Sequence, residues 1–248
     1  MDPDDEVRLH FVGSGDAFGN GGRFQTSFWL EGAGDSLLID CGATTLTALK
    51  AAAIEPNDIA AVVLTHLHGD HFGGVPFLVL DGQFRRRERE LAIVGPPGTQ
   101  ERVDAAMDLL FPGSVEAPRR FEVEFVELHE GGSTVVGPAT ISAVAVEQPG
   151  TPACALRVEY GGRVVAYSGD TAWTDKLVGL ASGADLFIAE AYFFERQVPY
   201  HLDYATLRAN RASLDCKRLI LTHMSPDMLS RQSDSEFECA YDGMVVAL

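Results

Sequence analysis

The sequence has few cationic side chains for its length. Lysine and arginine together number 19, against 36 aspartates and glutamates, and the formal net charge is -17. Such a balance repels polyanions at long range, whereas nucleic-acid-binding proteins usually present a basic face. We therefore expect no large nucleic acid as a partner, while a small anionic substrate held by a metal ion stays compatible with this charge.

Paired cysteines and long apolar runs are also missing. The four cysteines are far apart and form no C-x-x-C pair, which suits reduced thiols better than a disulfide framework. No apolar run approaches the roughly 20 residues that cross a bilayer. The acidic start, MDPDDEVRLH, has no basic region followed by an apolar stretch. These absences predict a cytoplasmic protein without an export signal or a membrane partner.

The remaining patterns predict one α/β domain over residues 1–248. Short apolar or alternating runs fall into two groups with helical patterns interspersed, and the Gly161-Gly162 pair predicts a hairpin in the second group. We expect an αββα sandwich of two mixed β-sheets flanked by helices. The basic cluster RRRERE, residues 85–90, mixes both signs of charge, and we interpret it as the solvated end of a helix.

The stretch LTHLHGDHFGG, residues 64–74, concentrates four metal-binding side chains in one glycine-rich loop. Imidazole and carboxylate groups are typical ligands of zinc and similar divalent metals. His66 and His68 are two residues apart and can point the same way, while Asp70 and His71 follow the bend and can serve a second ion. The loop therefore predicts the beginning of two metal sites, in preference to a metal-free histidine cluster.

Two further donors follow apolar strand patterns downstream. Asp170 follows a β-type run in AYSGDTAW, and His223 follows another in LILTHMSP. A lone aspartate after a strand is usually a turn former or a helix cap. Beside the histidine loop, however, both residues are predicted to complete the metal centre.

THLHGDH, SGDT and LTHMS, in this order and preceded by LLIDCG, are similar to motifs of the metallo-β-lactamase fold superfamily. The similarity extends from FVGSGDAFG to YDGMVV, and the segments AEAYF and YHLDYATL most resemble the ribonuclease Z-like phosphodiesterase branch. The resemblance implies that His66 and His68 bind one metal. It also implies that Asp70, His71 and His223 bind a second metal and that Asp170 bridges both.

The resemblance also implies roles for two residues outside the ligand set. Asp40, in LLIDCG, is expected to accept a hydrogen bond from a ligand histidine and so to orient it; the alternative is a simple turn former. His201, in YHLDYATL, corresponds to a histidine near the scissile phosphate; the alternative is a loop or capping residue. Asp70 and His201 are therefore the candidate catalytic residues.

One position departs from the branch pattern. Where a histidine normally precedes a short Pro-Ala segment, the sequence VEQPGTPACAL has Gln148. Glutamine is a poor zinc ligand, and Glu147 is expected to face the opposite side of an extended strand. We expect two divalent ions, zinc or alternatively manganese or iron, with the first site only partly occupied.

These features predict a metal-dependent hydrolase, most consistent with a phosphodiesterase acting on a small cyclic or nucleotide-like substrate. Transfer-RNA processing is disfavoured because the interval from Gln148 to Asp170 has no room for a long basic arm. Two alternatives stay open: hydrolysis of an ester, thioester or lactone, and a non-catalytic metal- or ligand-binding protein with a degenerate first site. Proteins of this fold often form homodimers, although no stretch here identifies an interface.

Overall fold

A computed structural model describes residues 6–248; the first five residues of the acidic start lie outside this range. The strands within it are β1 (Arg8–Gly13), β2 (Ser27–Glu31), β3 (Ser36–Ile39), β4 (Ile59–Val63), β5 (Leu91–Gly95), β6 (Val123–Glu127), β7 (Ser133–Val136), β8 (Ala139–Val146), β9 (Ala153–Tyr160), β10 (Arg163–Tyr167), β11 (Ala184–Glu190), β12 (Cys216–Thr222), β13 (Glu238–Cys239) and β14 (Val245–Ala247). The α-helices are α1 (Thr45–Ala51), α2 (Gly69–Phe72), α3 (Val75–Phe84), α4 (Thr99–Leu110), α5 (Lys176–Ala181), α6 (Tyr204–Asn210) and α7 (Pro226–Ser230).

The strands form two mixed seven-stranded sheets, in the orders β14-β1-β2-β3-β4-β5-β6 and β13-β12-β11-β10-β9-β8-β7. Apolar side chains from both sheets form a shared core, in which the rings of Phe28 and Tyr167 meet edge to face at 5.0 Å. Leu49, Leu78 and Val103, from α1, α3 and α4, pack on the outer face of the first sheet. Helices α5 and α6 cover the second sheet in the same way. The predicted αββα sandwich is confirmed.

Strand direction brings the ends of five strands to one edge of the sandwich. In the first sheet β3 and β4 are parallel, and in the second sheet β10, β11 and β12 are parallel. Parallel strands end at the same edge, where α/β proteins commonly place their ligands. The segments that follow these five strands therefore meet, and they contain the histidine loop and the downstream donors.

Several local expectations can be compared with the structure. Gly161 and Gly162 both have positive φ and form the hairpin between β9 and β10, as the two-residue turn requires. The short edge strand β7 was not predicted. Within residues 6–248, all four cysteines are unpaired, and no helix is long and apolar enough to span a membrane. The cellular compartment stays a prediction.

The interpretation of residues 85–90 as a solvated helix end is wrong for Arg87. Helix α3 ends at Phe84, and the Arg87 side chain turns inward and is 3% exposed. Its guanidinium donates hydrogen bonds to the carbonyls of five residues, namely Pro56, Asn57, Ile59, Arg89 and Glu90. The charge pattern alone does not predict this role, because three of the five carbonyl acceptors come from residues 56–59, a distant part of the chain.

Candidate metal centre

The histidine loop leaves β4 and turns sharply through the short helix α2. Close backbone contacts explain two of its glycines: a Cβ atom would lie 2.4 Å from the carbonyl oxygen of Gly69 if placed on Gly73, and 2.1 Å from that of Gly42 if placed on Gly74. His66 Nε2 and His68 Nδ1 lie 3.0 Å apart. The two nitrogens therefore face a common point, as the spacing of the two residues predicted.

Donors from the second sheet reach the same place. Asp170 Oδ2 lies 3.4 Å from His71 Nε2, 3.5 Å from His223 Nε2 and 3.9 Å from His66 Nε2. Asp70 Oδ2 lies 3.3 Å from His71 Nε2 and 3.2 Å from His223 Nε2. Ligand atoms of Asp70, His71, Asp170 and His223 all lie within 4.8 Å of one another. Such a set of two imidazoles and two carboxylates can hold a divalent metal.

His66 and His68 belong to no comparable group of three or more His, Cys, Asp or Glu donors within residues 6–248. Gln148, at the position of the missing histidine, donates from Nε2 to the backbone carbonyls of Asp170, at 2.7 Å, and Tyr200, at 3.1 Å. Its amide therefore lies beside the centre and links two loops. Fewer strong donors therefore surround His66 and His68 than surround His71 and His223.

Asp40 connects two candidate ligand histidines that follow the first sheet, His66 and His71. Its Oδ2 accepts a hydrogen bond from His71 Nδ1 at 2.7 Å, and its carboxylate accepts from the backbone amide and hydroxyl of Thr65. The Thr65 hydroxyl oxygen lies 3.0 Å from His66 Nδ1. When the Nδ1 atoms of His66 and His71 carry protons, their Nε2 atoms are directed toward the centre.

A second cluster contains Glu190, which the sequence analysis did not identify. Glu190 Oε2 accepts a hydrogen bond from His201 Nδ1 at 2.9 Å, and Oε1 accepts from the backbone amides of Thr171 and Leu202. Glu190 ends β11 in the same way that Asp170 follows β10. This strand-end position was the available signal for it.

In the metal-free centre, the pKa values of the candidate ligand histidines shift in opposite directions. Burial, together with the neighbouring His71, lowers the pKa of His66 well below its usual value, so its imidazole is neutral. Burial opposes protonation of His71 and His223 as well, but the surrounding carboxylates dominate. They raise the pKa of His71 well above its usual value and that of His223 to about 9. Two of the candidate ligands therefore carry protons at pH 7 without a metal.

The pKa values of the buried carboxylates also shift in opposite directions. Burial works against ionisation of Asp70 and Asp170, yet the adjacent histidines hold the pKa of both well below the usual range. Burial and the charge of Asp170 raise the pKa of Glu190 to about 7. Burial opposes protonation of His201, but the hydrogen bond that its ring donates to Glu190 outweighs burial and raises the pKa of His201.

Unpaired buried atoms test whether a metal fits this centre. His71 Nε2 and Asp170 Oδ1 are buried without a hydrogen-bond partner. Such atoms are rare in folded proteins because leaving them unpaired is costly. A divalent cation between them would satisfy both, so the residues present fit a metal ion.

The fold and the His/Asp centre at its strand ends define the class of metal-dependent hydrolases with the metallo-β-lactamase fold. The sequence model of the β-lactamase superfamily domain matches residues 36–224. The chain belongs to this family, and the relatives below assign it to the ribonuclease Z-like branch.

Ribonuclease Z of Methanothermobacter thermautotrophicus is 29% identical, with 88% of this chain and 87% of the relative covered. That alignment spans 275 positions, more than the 248 residues of this chain. The relative therefore has segments without a counterpart here.

Among solved structures, the short form of human tRNase Z matches with a TM-score of 0.79 and 26% identity, covering 97% of this chain and 98% of that one. A metallo-β-lactamase fold protein from Bacillus subtilis also has a TM-score of 0.79, with 98% and 99% covered. At 22% identity, this second likeness shows the fold alone.

These relatives correct one expectation. The negative charge and the absence of a long basic arm led us to expect no large nucleic acid as a partner. That expectation is wrong, because two of these similar proteins are named as ribonucleases, one of them a tRNase. Net charge averages over the whole surface and therefore does not exclude an RNA-cleaving family.

Proposed function

We propose that this protein hydrolyses phosphodiesters with the help of divalent metal ions. In this proposal His66 and His68 would hold the first ion. Asp70, His71 and His223 would hold the second ion, and Asp170 would be shared by both. Asp40 orients ligand histidines, and Gln148 is a weak or replaced ligand of the first site.

The observation that carries the proposal is the convergence of Asp70, His71, Asp170 and His223 within 4.8 Å, beside a hydrogen-bonded Glu190–His201 pair. When bound, divalent ions in such a centre activate water and neutralise charge on phosphoryl oxygens. The chain itself supplies the rest of the chemistry. Asp40 and Thr65 fix the orientation of His66 and His71, so little reorganisation accompanies binding.

His201 is the proposed general acid. Its Nδ1 is fixed by Glu190, which leaves Nε2 as the nitrogen free to act on substrate. The stacked rings of His201 and His223 have centroids 6.2 Å apart, so the imidazole lies next to the metal ligands. A protonated His201 can donate a proton to the leaving oxygen or bind the phosphate. This acid favours substrates with an alkoxide leaving group over thioesters, and binding of the phosphate by a protonated ring favours a phosphodiester over a lactone.

The proposed substrate is a nucleotide-like phosphodiester, either a small cyclic compound or the end of an RNA chain. RNA is included because the relatives are named ribonuclease Z. The absence of counterparts for some segments of those relatives supports testing small substrates alongside it.

The test is an activity screen of the metal-loaded protein, with zinc or manganese added back after chelation. The substrates are bis(p-nitrophenyl) phosphate, cyclic nucleotides and an RNA hairpin with a 3′ extension, with a chromogenic lactone and a thioester as contrasts. We expect metal-dependent cleavage of at least one phosphodiester and loss of turnover in His201→Ala at unchanged metal content. Exclusive cleavage of the lactone or thioester, or no activity with full metal occupancy, would overturn the proposal.

A further inference from the structure

A cavity of about 500 Å³ lies between the ends of the two sheets. Ala139, Ile141 and Ala143 on β8 face the core between the sheets. Alternate residues of a strand share a face, so Ala145 continues this row, and it lines the cavity. The cavity is thus an open extension of the apolar core, and its volume lies in the range of ligand-binding sites.

The cavity adjoins the metal centre along one wall. Of the residues that line it, Gln148 donates a hydrogen bond to the Asp170 carbonyl, and Tyr200 directly precedes His201. Ala153, also in the lining, pairs through its backbone with His66. A substrate group bonded to an oxygen near His201 would therefore reach the cavity.

The lining favours an uncharged ring. Proline rings and aliphatic side chains supply most of it, together with one imidazole and one phenol. The described lining contains no lysine or arginine, and its charged members are Glu130 and Glu147. Lys176 pairs with Glu130 at 2.6 Å but is not part of the lining. A second phosphate would find no cationic partner in this lining, whereas a flat neutral group would bury apolar surface.

We infer that this cavity binds the uncharged ring carried by the leaving alcohol of the phosphodiester, as a nucleobase is carried by a nucleoside. The inference rests on the proposed function and deepens it, because it assigns one side of the scissile bond to a specificity site. Hydrolysis breaks the bond between phosphorus and the leaving oxygen, water supplies the hydroxyl on phosphorus, and His201 supplies the proton to the alcohol.

Binding is tested first, with thymidine as the probe and without any hydrolysis. Saturation-transfer NMR on the metal-loaded protein is expected to detect thymidine. Ala145→Leu, which places a branched side chain in the cavity, should abolish the signal. Ala51→Leu makes the same change at an exposed position of α1, and should retain it. Absence of thymidine binding, or binding that survives Ala145→Leu, would overturn the inference.

Kinetic measurements then test whether the cavity recognises the leaving side of the scissile phosphodiester bond. The products of thymidylyl-(3′→5′)-thymidine, thymidine 3′-phosphate or thymidine 5′-phosphate, show which oxygen leaves. The dinucleotide is then compared with the methyl ester of that same thymidine phosphate, which keeps the retained side and has methanol as its leaving alcohol. We expect kcat/KM to be about tenfold higher for the dinucleotide, a size typical of discrimination by an apolar pocket. In Ala145→Leu with full metal content the ratio should approach one, and in Ala51→Leu it should not change.

Equal kcat/KM values for the two esters in the unmodified protein would overturn the assignment. Failure of the proposed function has a different signature. In that case thymidine binds and remains sensitive to Ala145→Leu, but bis(p-nitrophenyl) phosphate is not cleaved.

Discussion

His201 Nδ1 lies 2.9 Å from the buried carboxylate of Glu190, at the edge of the metal centre. The hydrogen bond fixes the ring and raises the pKa of His201 against the opposing effect of burial. Glu190 is therefore a positioning residue for the proposed general acid.

Glu190→Gln should move the high-pH limb of the activity profile to lower pH. A general acid acts in its protonated form, so activity falls as pH rises through its pKa. Removing the carboxylate charge lowers that pKa, and the fall therefore begins earlier. The measurement is the pH dependence of kcat at full metal content, with the exposed Glu195→Gln as control. A profile that loses amplitude without shifting would show that Glu190 does not act through His201.

Gln148→His should strengthen the first metal site. The neutral amide of Gln148 now donates to two carbonyls, whereas an imidazole supplies a strong nitrogen ligand. We expect the unmodified protein to hold its second-site metal more firmly and to gain occupancy of the first site on substitution. Zinc titration of both metal-free proteins, with Gln148→Ala as control, measures this. Two equally tight sites in the unmodified protein, unaffected by the substitution, would contradict it.

Metal binding should release protons at neutral pH. His71 and His223, whose pKa values are raised, the latter to about 9, hold protons in the metal-free centre and must lose them to coordinate. Affinity for zinc should therefore rise with pH from 6 toward 9. Calorimetric titrations in two buffers of different ionisation enthalpy count the protons released. His223→Gln should release fewer, and the same apparent enthalpy in both buffers would contradict the prediction.

Arg87→Met should destabilise the fold although it removes no residue of the site. Five carbonyls that accept from the guanidinium would lose their donor. Leaving several buried acceptors unpaired costs roughly 2–4 kcal/mol in the free energy of unfolding. Arg85→Ala, which breaks only an exposed ion pair with Glu55, should cost less than about 1 kcal/mol. Denaturant unfolding measures the loss of stability in both variants. Equal midpoints for the two would refute the structural role of Arg87.

Much of the fold follows from the sequence because its patterns are local. The segments VPFLVLDGQF and TQERVDAAMDLL have helical patterns, and helices α3 and α4 have the bounds of these two segments. The convergence of Asp170 with the histidine loop could also be anticipated, since parallel strands end at one edge. The role of Glu190 was not predicted, because only the loop between β11 and α6 brings its partner, His201, to it.

The backbone around the centre is held in a conformation that most side chains avoid. Among residues 6–248, Asp40, Tyr200 and His223 are non-glycine residues with positive φ, at 56°, 69° and 58°. Each such residue costs on the order of 1 kcal/mol or more, which glycine would largely avoid. Glycine would relax the chain at these positions. It would also remove the hydrogen-bond acceptor at residue 40, the aromatic cavity wall at residue 200 or the proposed metal ligand at residue 223. The most stable version of this fold and its most active version are therefore different sequences.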